Sequence, residues 1–346
     1  MRIVIGFVFF YIYFSGIIHG ANKITYLADE HAPISVMGDH IHKEKEIMLS
    51  YRLGKMSMGS IYNGRKILKI DEVLNPPNSS SDNSGTYMNA PISMNMMMHM
   101  VGLMYAPYDN LTIMMMGKYF EKEMTLQRMK MAGSARFDVN SSGLGDSSLS
   151  FLIRNNRTES NQSHFGFGLS FPTGSIDCRD KTPVSTDSRL GYAMQNGTGT
   201  FDPFILYNNL NLFGRLKIGK QIHFKIPASG KNNKHYEYGK SVETSIWASY
   251  RWLGNVSNSI RLRYHYLGYM KGSDNEMSPR MSPAMDSRNS GYQKLNFSFG
   301  VNFVNYNKKL NNHRLGLEAI IPVYQKYRGL QMGEKFRILV GWQFGI

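Results

Sequence analysis

Met96, Met98, Met100 and Met104 fall at even positions of one stretch, and Met114 and Met116 share the parity of Thr112 and Lys118 in the next. At a period of two, each set lies on one face of an extended segment. If Gly102 faces an interior, as glycines do in most other alternating stretches, the first set lines that interior with it. The second set follows Thr112 and Lys118 inward, which leaves Gly117 pointing outward. A wall of thioethers is apolar, flexible and polarizable, suited to planar hydrophobic solutes of varied shape. It is also soft enough for Cu(I) or Ag(I). The plain alternative is that the methionines fill a narrow interior as packing.

The same inferred interior is basic. Arg52, Lys118, Arg154, Lys217, Lys225, Arg251, Arg261, Arg263, Arg314 and Arg337 outnumber Glu46, Glu243 and Glu318. Fixed positive charge in a confined aqueous pore favours anions and repels cations. With methionine for apolar contact and arginine as a carboxylate fork, the pattern suits aromatic acids. The competing reading pairs these side chains internally and closes the lumen.

His40 and His42, at i and i+2, share a face of an extended segment, and His31 lies close before them. Such a set suits Zn or Cu; solvated histidines in a terminal segment are the alternative. His164, His223 and His265 also face inward, but no serine, histidine and acid spacing marks a triad. Gly272-Ser273-Asp274-Asn275-Glu276 is too short and irregular for a calcium loop. The expectation is no enzyme and no cofactor.

The elements that position these residues are strands. In the last stretch Phe336, Ile338, Val340, Trp342, Phe344 and Ile346 fall on one face; Arg337, Leu339, Gly341, Gln343 and Gly345 fall on the other. One apolar face ending in aromatics and one polar, glycine-rich face fit a strand between lipid and water. The pattern recurs along the chain in about twelve segments of roughly 8–12 residues, near the length of a tilted bilayer crossing. Long polar links such as Ser57 to Pro91, Pro172 to Thr198 and Met270 to Gly291 alternate with short ones such as Pro107 to Asn110. This rhythm predicts a transmembrane antiparallel up-and-down β-barrel with short periplasmic turns, long extracellular loops and both chain ends at the short-turn side.

Ile3 to Ile18, after Met1-Arg2 and before His19-Gly20-Ala21, reads as a secretory signal. The expected organisation is a signal peptide over 1–20, cleaved near Gly20 or Ala21, a periplasmic N-terminal segment over 21–45 that could fold into the lumen, and a barrel over 46–346. A single cysteine, Cys178, excludes an intrachain disulfide. The net charge of +15 does not point to nucleic acid, because an exported chain rarely meets it and no nucleic-acid motif accompanies the charge. Anionic lipid headgroups or solutes are the expected counterpart.

Short strings in order point the same way: His31-Ala32-Pro33-Ile34 through Gly38-Asp39-His40, Met48-Leu49-Ser50-Tyr51-Arg52, and Met98-His99-Met100 through Tyr105-Ala106-Pro107. Ser142-Gly143-Leu144-Gly145-Asp146, Phe171-Pro172-Thr173-Gly174-Ser175 and Tyr192-Ala193-Met194-Gln195-Asn196-Gly197 follow, then Ile321-Pro322-Val323-Tyr324-Gln325 and Gly341-Trp342-Gln343-Phe344. Over nearly the whole mature chain these resemble the outer-membrane family named for the meta-pathway of phenol degradation, whose members are described as transporters. The resemblance implies a barrel whose family name reflects gene neighbourhood with aromatic breakdown, and it carries over no catalytic residues. This chain ends in Ile346 rather than in an aromatic residue that assembly machinery reads, so Phe344 would serve instead.

The resulting expectation is a monomeric bacterial outer-membrane channel passing small hydrophobic or aromatic solutes, anionic ones among them, by passive diffusion. Its partners are outer-membrane lipid, the solute and the assembly machinery. The rivals are a non-conducting surface scaffold and a copper-related barrel.

Overall fold

The computed structural model describes residues 28–29, 31–133, 135–305 and 313–346. The expected signal peptide lies outside the described residues. Strands dominate: β1 (Ile47–Gly64), β2 (Lys66–Leu68), β3 (Asn89–Tyr108), β4 (Leu111–Arg128), β5 (Arg136–Leu144), β6 (Ser147–Arg157), β7 (Asn161–Phe171), β8 (Arg179–Thr182) and β9 (Ser185–Arg189). They continue as β10 (Asp202–Phe213), β11 (Leu216–Lys225), β12 (Tyr236–Glu237), β13 (Ser241–Leu253), β14 (Val256–Leu267), β15 (Lys271–Gly272), β16 (Tyr292–Val304) and β17 (His313–Gly345). Among the described residues, no helix is long and apolar enough to cross a membrane.

The main sheet closes on itself. Its order is β17-β16-β14-β13-β11-β10-β7-β6-β4-β3-β1, and β17 also pairs with β1. Each neighbouring pair is antiparallel, so direction alternates around the ring. β16 is the tenth strand of this alternation and runs opposite to β1. The first part of β17 is antiparallel to β16 and the last part antiparallel to β1, so β17 must reverse within itself. The reversal falls at Gly329, whose φ of +72° a residue with a Cβ rarely adopts. Ten strands and the two limbs of β17 give twelve crossings. Closure leaves the ring itself without a free edge, which a barrel in lipid requires.

The pleat sorts the side chains. Val101 and Leu103, Phe151 and Ile153, Phe165 and Phe167, Ile260 and Leu262, Leu315 and Leu317, and Ile338 and Val340 are exposed on the outer face. Their sequence neighbours Met100, Leu152, His164, Arg261, Arg314 and Leu339 are buried inside. An apolar belt of this kind is solvated by acyl chains. The first and last strands of the barrel meet at the short-turn side, where Ile47 and Ile346 exchange backbone hydrogen bonds of 3.0 and 2.7 Å.

Several strands are longer than their alternation suggests. The segment from Ser57 to Pro91, read from sequence as loop, contains the end of β1, the short β2 and the start of β3. The polar stretch after Tyr119 is the rest of β4 followed by β5. At about 3.3 Å per residue, an 18-residue strand such as β4 rises roughly 60 Å, well past an apolar belt of about 25 Å. Above the belt the outer face meets water instead of lipid, so the alternation inverts: Glu121 and Glu123 face out while Met124 and Leu126 face in. β5 pairs with the upper half of β4 and β6 with the lower, the two joined by a bend at Gly145 and Asp146.

Candidate functional site

The described residues before β1 run through the lumen, and residues from almost every side of the wall hold them. Ser257 donates its hydroxyl to the Ala28 carbonyl at 2.8 Å, and Asp29 lies 3.4 Å from Lys217 Nζ and 3.5 Å from Arg251 Nε. Arg314 donates to the Ala32 carbonyl at 2.5 Å, and Arg52 to the Ile34 carbonyl at 2.8 Å. Gln221 and Asn208 donate their side-chain amides to the Met37 and Asp39 carbonyls at 2.9 and 2.8 Å. His164 Nε2 donates to the Gly38 carbonyl at 2.8 Å. In the other direction, Ser35 N–H donates to Glu318 at 3.0 Å and His42 N–H to Thr112 at 3.0 Å. An irregular segment cannot pair its own backbone, so a buried one needs such partners from its surroundings. The wall supplies them with inward polar side chains.

Ile34 is the apolar anchor of this plug. It sits over Gly316 and Gly341, where a Cβ added to Gly341 would lie 2.4 Å from Ile34 Cγ1. Ile34 belongs to one buried cluster with Met48, Met100, Met104, Met114, Met116, Leu152, Leu206, Ile320 and Leu339. Met37 and Ile41 of the plug and Met98 of the wall pack against it. Met96 is half-buried higher on β3. The structure thus brings most of the candidate methionines together, against the plug rather than around open solvent.

The candidate arginines are committed to internal partners. Arg52 and Arg251 hold the plug directly, as above. Arg261 stands 3.2 Å from Glu318, which also accepts from the Ser298 hydroxyl at 2.6 Å. Higher in the lumen Arg263 pairs with Glu243 at 2.5 Å and Arg337 with Glu334 at 3.0 Å. Arg154 is apart from these, donating to the Asp109 carbonyl at 2.9 and 2.6 Å beside a short turn. An incoming anion must therefore compete with carboxylates already seated.

The three candidate histidines of the N-terminal segment lie together inside the plug. The ring centroids of His31 and His40 are 4.4 Å apart and those of His40 and His42 4.6 Å apart, both pairs edge to face. Asp39 joins them, with Oδ1 2.8 Å from His40 Nδ1 and Oδ2 accepting the Ala32 N–H at 2.8 Å. Burial, and next the neighbouring His40, holds the His31 and His42 imidazoles well below their ordinary range.

At the far end the long loops fold over the barrel mouth. Asp146, at the bend between β5 and β6, accepts from the Gly174 and Thr198 backbone at 3.0 and 2.8 Å. Arg189 pairs with buried Asp274 at 2.6 Å, and Tyr87 donates to Asp286 at 2.7 Å. Beneath these loops lies a cavity of about 330 Å³ whose walls include Met124, Leu126, Phe137, Val139, Leu190 and Met194. The same lining includes the charged residues Arg128, Arg179, Asp187, Arg189 and Glu276. The volume falls in the range of small-ligand pockets. Sequence reasoning missed this cavity because its residues sit in stretches read as exposed loop; the hydrophobic residues of those stretches were the available signal.

No protein-family model matches the chain, and no curated protein does. Solved structures do match. An outer membrane channel from Pseudomonas putida F1 aligns over 90% of this chain and 100% of its own, with a TM-score of 0.59 and 12% identity. The P. putida toluene transporter TodX aligns over 88% of this chain and 91% of its own at a TM-score of 0.42 and 8% identity. A Pseudomonas aeruginosa FadL homologue aligns over 87% and 90% at a TM-score of 0.39 and 8% identity. At 12% identity the first of these establishes a shared fold, that of a bacterial outer-membrane β-barrel.

Proposed function

We propose that this barrel is an outer-membrane channel that takes up small hydrophobic, preferentially aromatic, solutes from outside. The observation that carries the reading is the cavity of about 330 Å³ under the loops, walled by thioether, aliphatic and aromatic side chains. Flexible methionines there adapt to planar solutes. The shared fold with an outer membrane channel supports the reading. Passage is passive, down a gradient, from the cavity toward the methionine cluster, with displacement of the plug as the step that opens the lower half. Neutral solutes suit it better than anions, because the lumenal arginines already hold carboxylates or carbonyls.

The test is equilibrium binding of a naphthalene-type fluorophore to the full processed barrel in detergent, with Leu126→Glu and Met124→Lys as variants. The expected result is saturable binding weakened about tenfold or more by either charge, the penalty of burying it in an apolar pocket. Equal binding by both variants would remove the cavity from the pathway. The second reading, a non-conducting surface scaffold, is favoured by the ring of contacts to the plug. Uptake of toluene into liposomes holding the barrel separates the two, since a scaffold adds nothing to the lipid-only rate.

A further inference from the structure

We infer that the plug contains a binding site for one late first-row divalent metal ion, Zn2+ or Cu2+, built on Nε2 of His40 and Nε2 of His42 with His31 as the third imidazole. The geometry of the two rings carries it. His40 turns Nδ1 to Asp39 Oδ1 at 2.8 Å, and His42 turns Nδ1 to Glu46 Oε1 at 2.9 Å. A neutral imidazole whose Nδ1–H faces a carboxylate presents a bare lone pair at Nε2. Here the two Nε2 atoms face each other at 3.2 Å. Two lone pairs at that distance repel unless a positive centre lies between or beside them, either a proton or a metal ion.

The spacing fits a metal. Nitrogens bound tetrahedrally at about 2.0–2.1 Å stand about 3.3 Å apart. Each ring is also backed by a carboxylate, the arrangement that orients metal-bound histidine and raises its basicity. His31 stands beside His40, with ring centroids 4.4 Å apart, and one of its ring nitrogens, a His40 nitrogen and an Asp39 oxygen all lie within 4.8 Å of one another. The donors are buried or nearly so, and they are gathered by the fold rather than by flexible reach. Asp39 ties back to Ala32 N–H, Gly38 turns the chain at φ +60°, and Thr112 of the wall accepts the His42 N–H. Imidazole with carboxylate selects Zn2+ or Cu2+ over Mg2+ or Ca2+. All the ligands come from one short segment, so the ion would clasp the plug in the shape that fits the lumen. This site is independent of the loop cavity and of the solute reading.

The test uses the full processed barrel without an affinity tag, stripped with a chelator and titrated calorimetrically with Zn2+ and, separately, Cu2+. One ion per barrel is expected, with affinity reduced at least 100-fold in His40→Ala and His42→Ala and unchanged in His235→Ala, a loop histidine. Glu46→Gln, which keeps every ligand, should weaken binding about 10- to 100-fold by loosening His42. Because an alanine variant can loosen the plug, the wild-type barrel loaded with one equivalent of Cu2+ is examined by electron paramagnetic resonance as well. Coupling to at least two imidazole nitrogens supports the site. Oxygen-only coordination, no stoichiometric binding, or equal affinity in His40→Ala and wild type would overturn it.

Discussion

Arg52 of the wall donates its Nε–H to the carbonyl of Ile34, 18 residues earlier in the chain, at 2.8 Å. The bond joins the barrel to the segment that fills it. It accounts for an inward arginine without assigning it to a solute, since the buried backbone of the plug needs a donor at that place.

Deletion of residues 31–42 removes Ile34 and the backbone groups that the wall grips. Single-channel current across planar bilayers should rise several-fold over that of the intact barrel. Equal current would mean that the folded loops, not the plug, set the resistance.

Gly341→Val tests the seat of Ile34 without removing any plug residue. A Cβ at this position meets Ile34 at 2.4 Å, and overpacking of this kind costs about 1–3 kcal/mol. The plug should shift while the barrel, whose ladder is untouched, still migrates as a folded species by heat-modifiability on gels. The expected readout is raised conductance; a loss of folded protein instead would place the strain in the strand.

Glu318→Ala strips the carboxylate that faces Arg261, Ser298 and the Ser35 N–H. Leaving a buried guanidinium unpaired costs about 3–5 kcal/mol. The midpoint of urea unfolding, followed by tryptophan fluorescence in detergent, should fall accordingly. Glu318→Gln retains the acceptor for Ser35 and should lose less.

Asp274→Ala releases Arg189, the buried cation that joins the 172–201 and 268–291 loops. Limited proteolysis should then cut within these loops at a higher rate than in the wild type. Binding of the naphthalene probe should weaken in the same variant, since Arg189 and Leu190 line the cavity.

The barrel was legible because lipid on one side and lumen on the other imposes a period of two, and that period names the inward residue at each step. Gly102, Met100 and Met104 are inside, and Val101 and Leu103 outside, as parity requires. Two things were not legible. Where strands rise beyond the lipid, as in the upper part of β4, the period persists but its polarity inverts, with Met124 and Leu126 turned inward and Glu121 and Glu123 outward, so the pattern no longer reads as a lipid-facing strand. The partners of inward charges were also hidden: nothing local in the sequence ties Glu318 to Ser35 or Arg314 to Ala32, because those contacts arise only once the ring has closed around a distant segment. The loop cavity escaped for a related reason, since Met124 of β4 meets Leu190 only through tertiary folding of a loop over the barrel mouth.

The first and last strands share a seam, with Ile47 and Ile346 bonded backbone to backbone and the lumenal segment leading directly into that first strand. A newly made chain therefore has its stopper in hand before it has a vessel, and the final strand must arrive to complete the wall. A chain that joined its ends with the stopper outside would leave Arg52, Arg314 and Glu318 without the backbone groups they hold in the closed barrel.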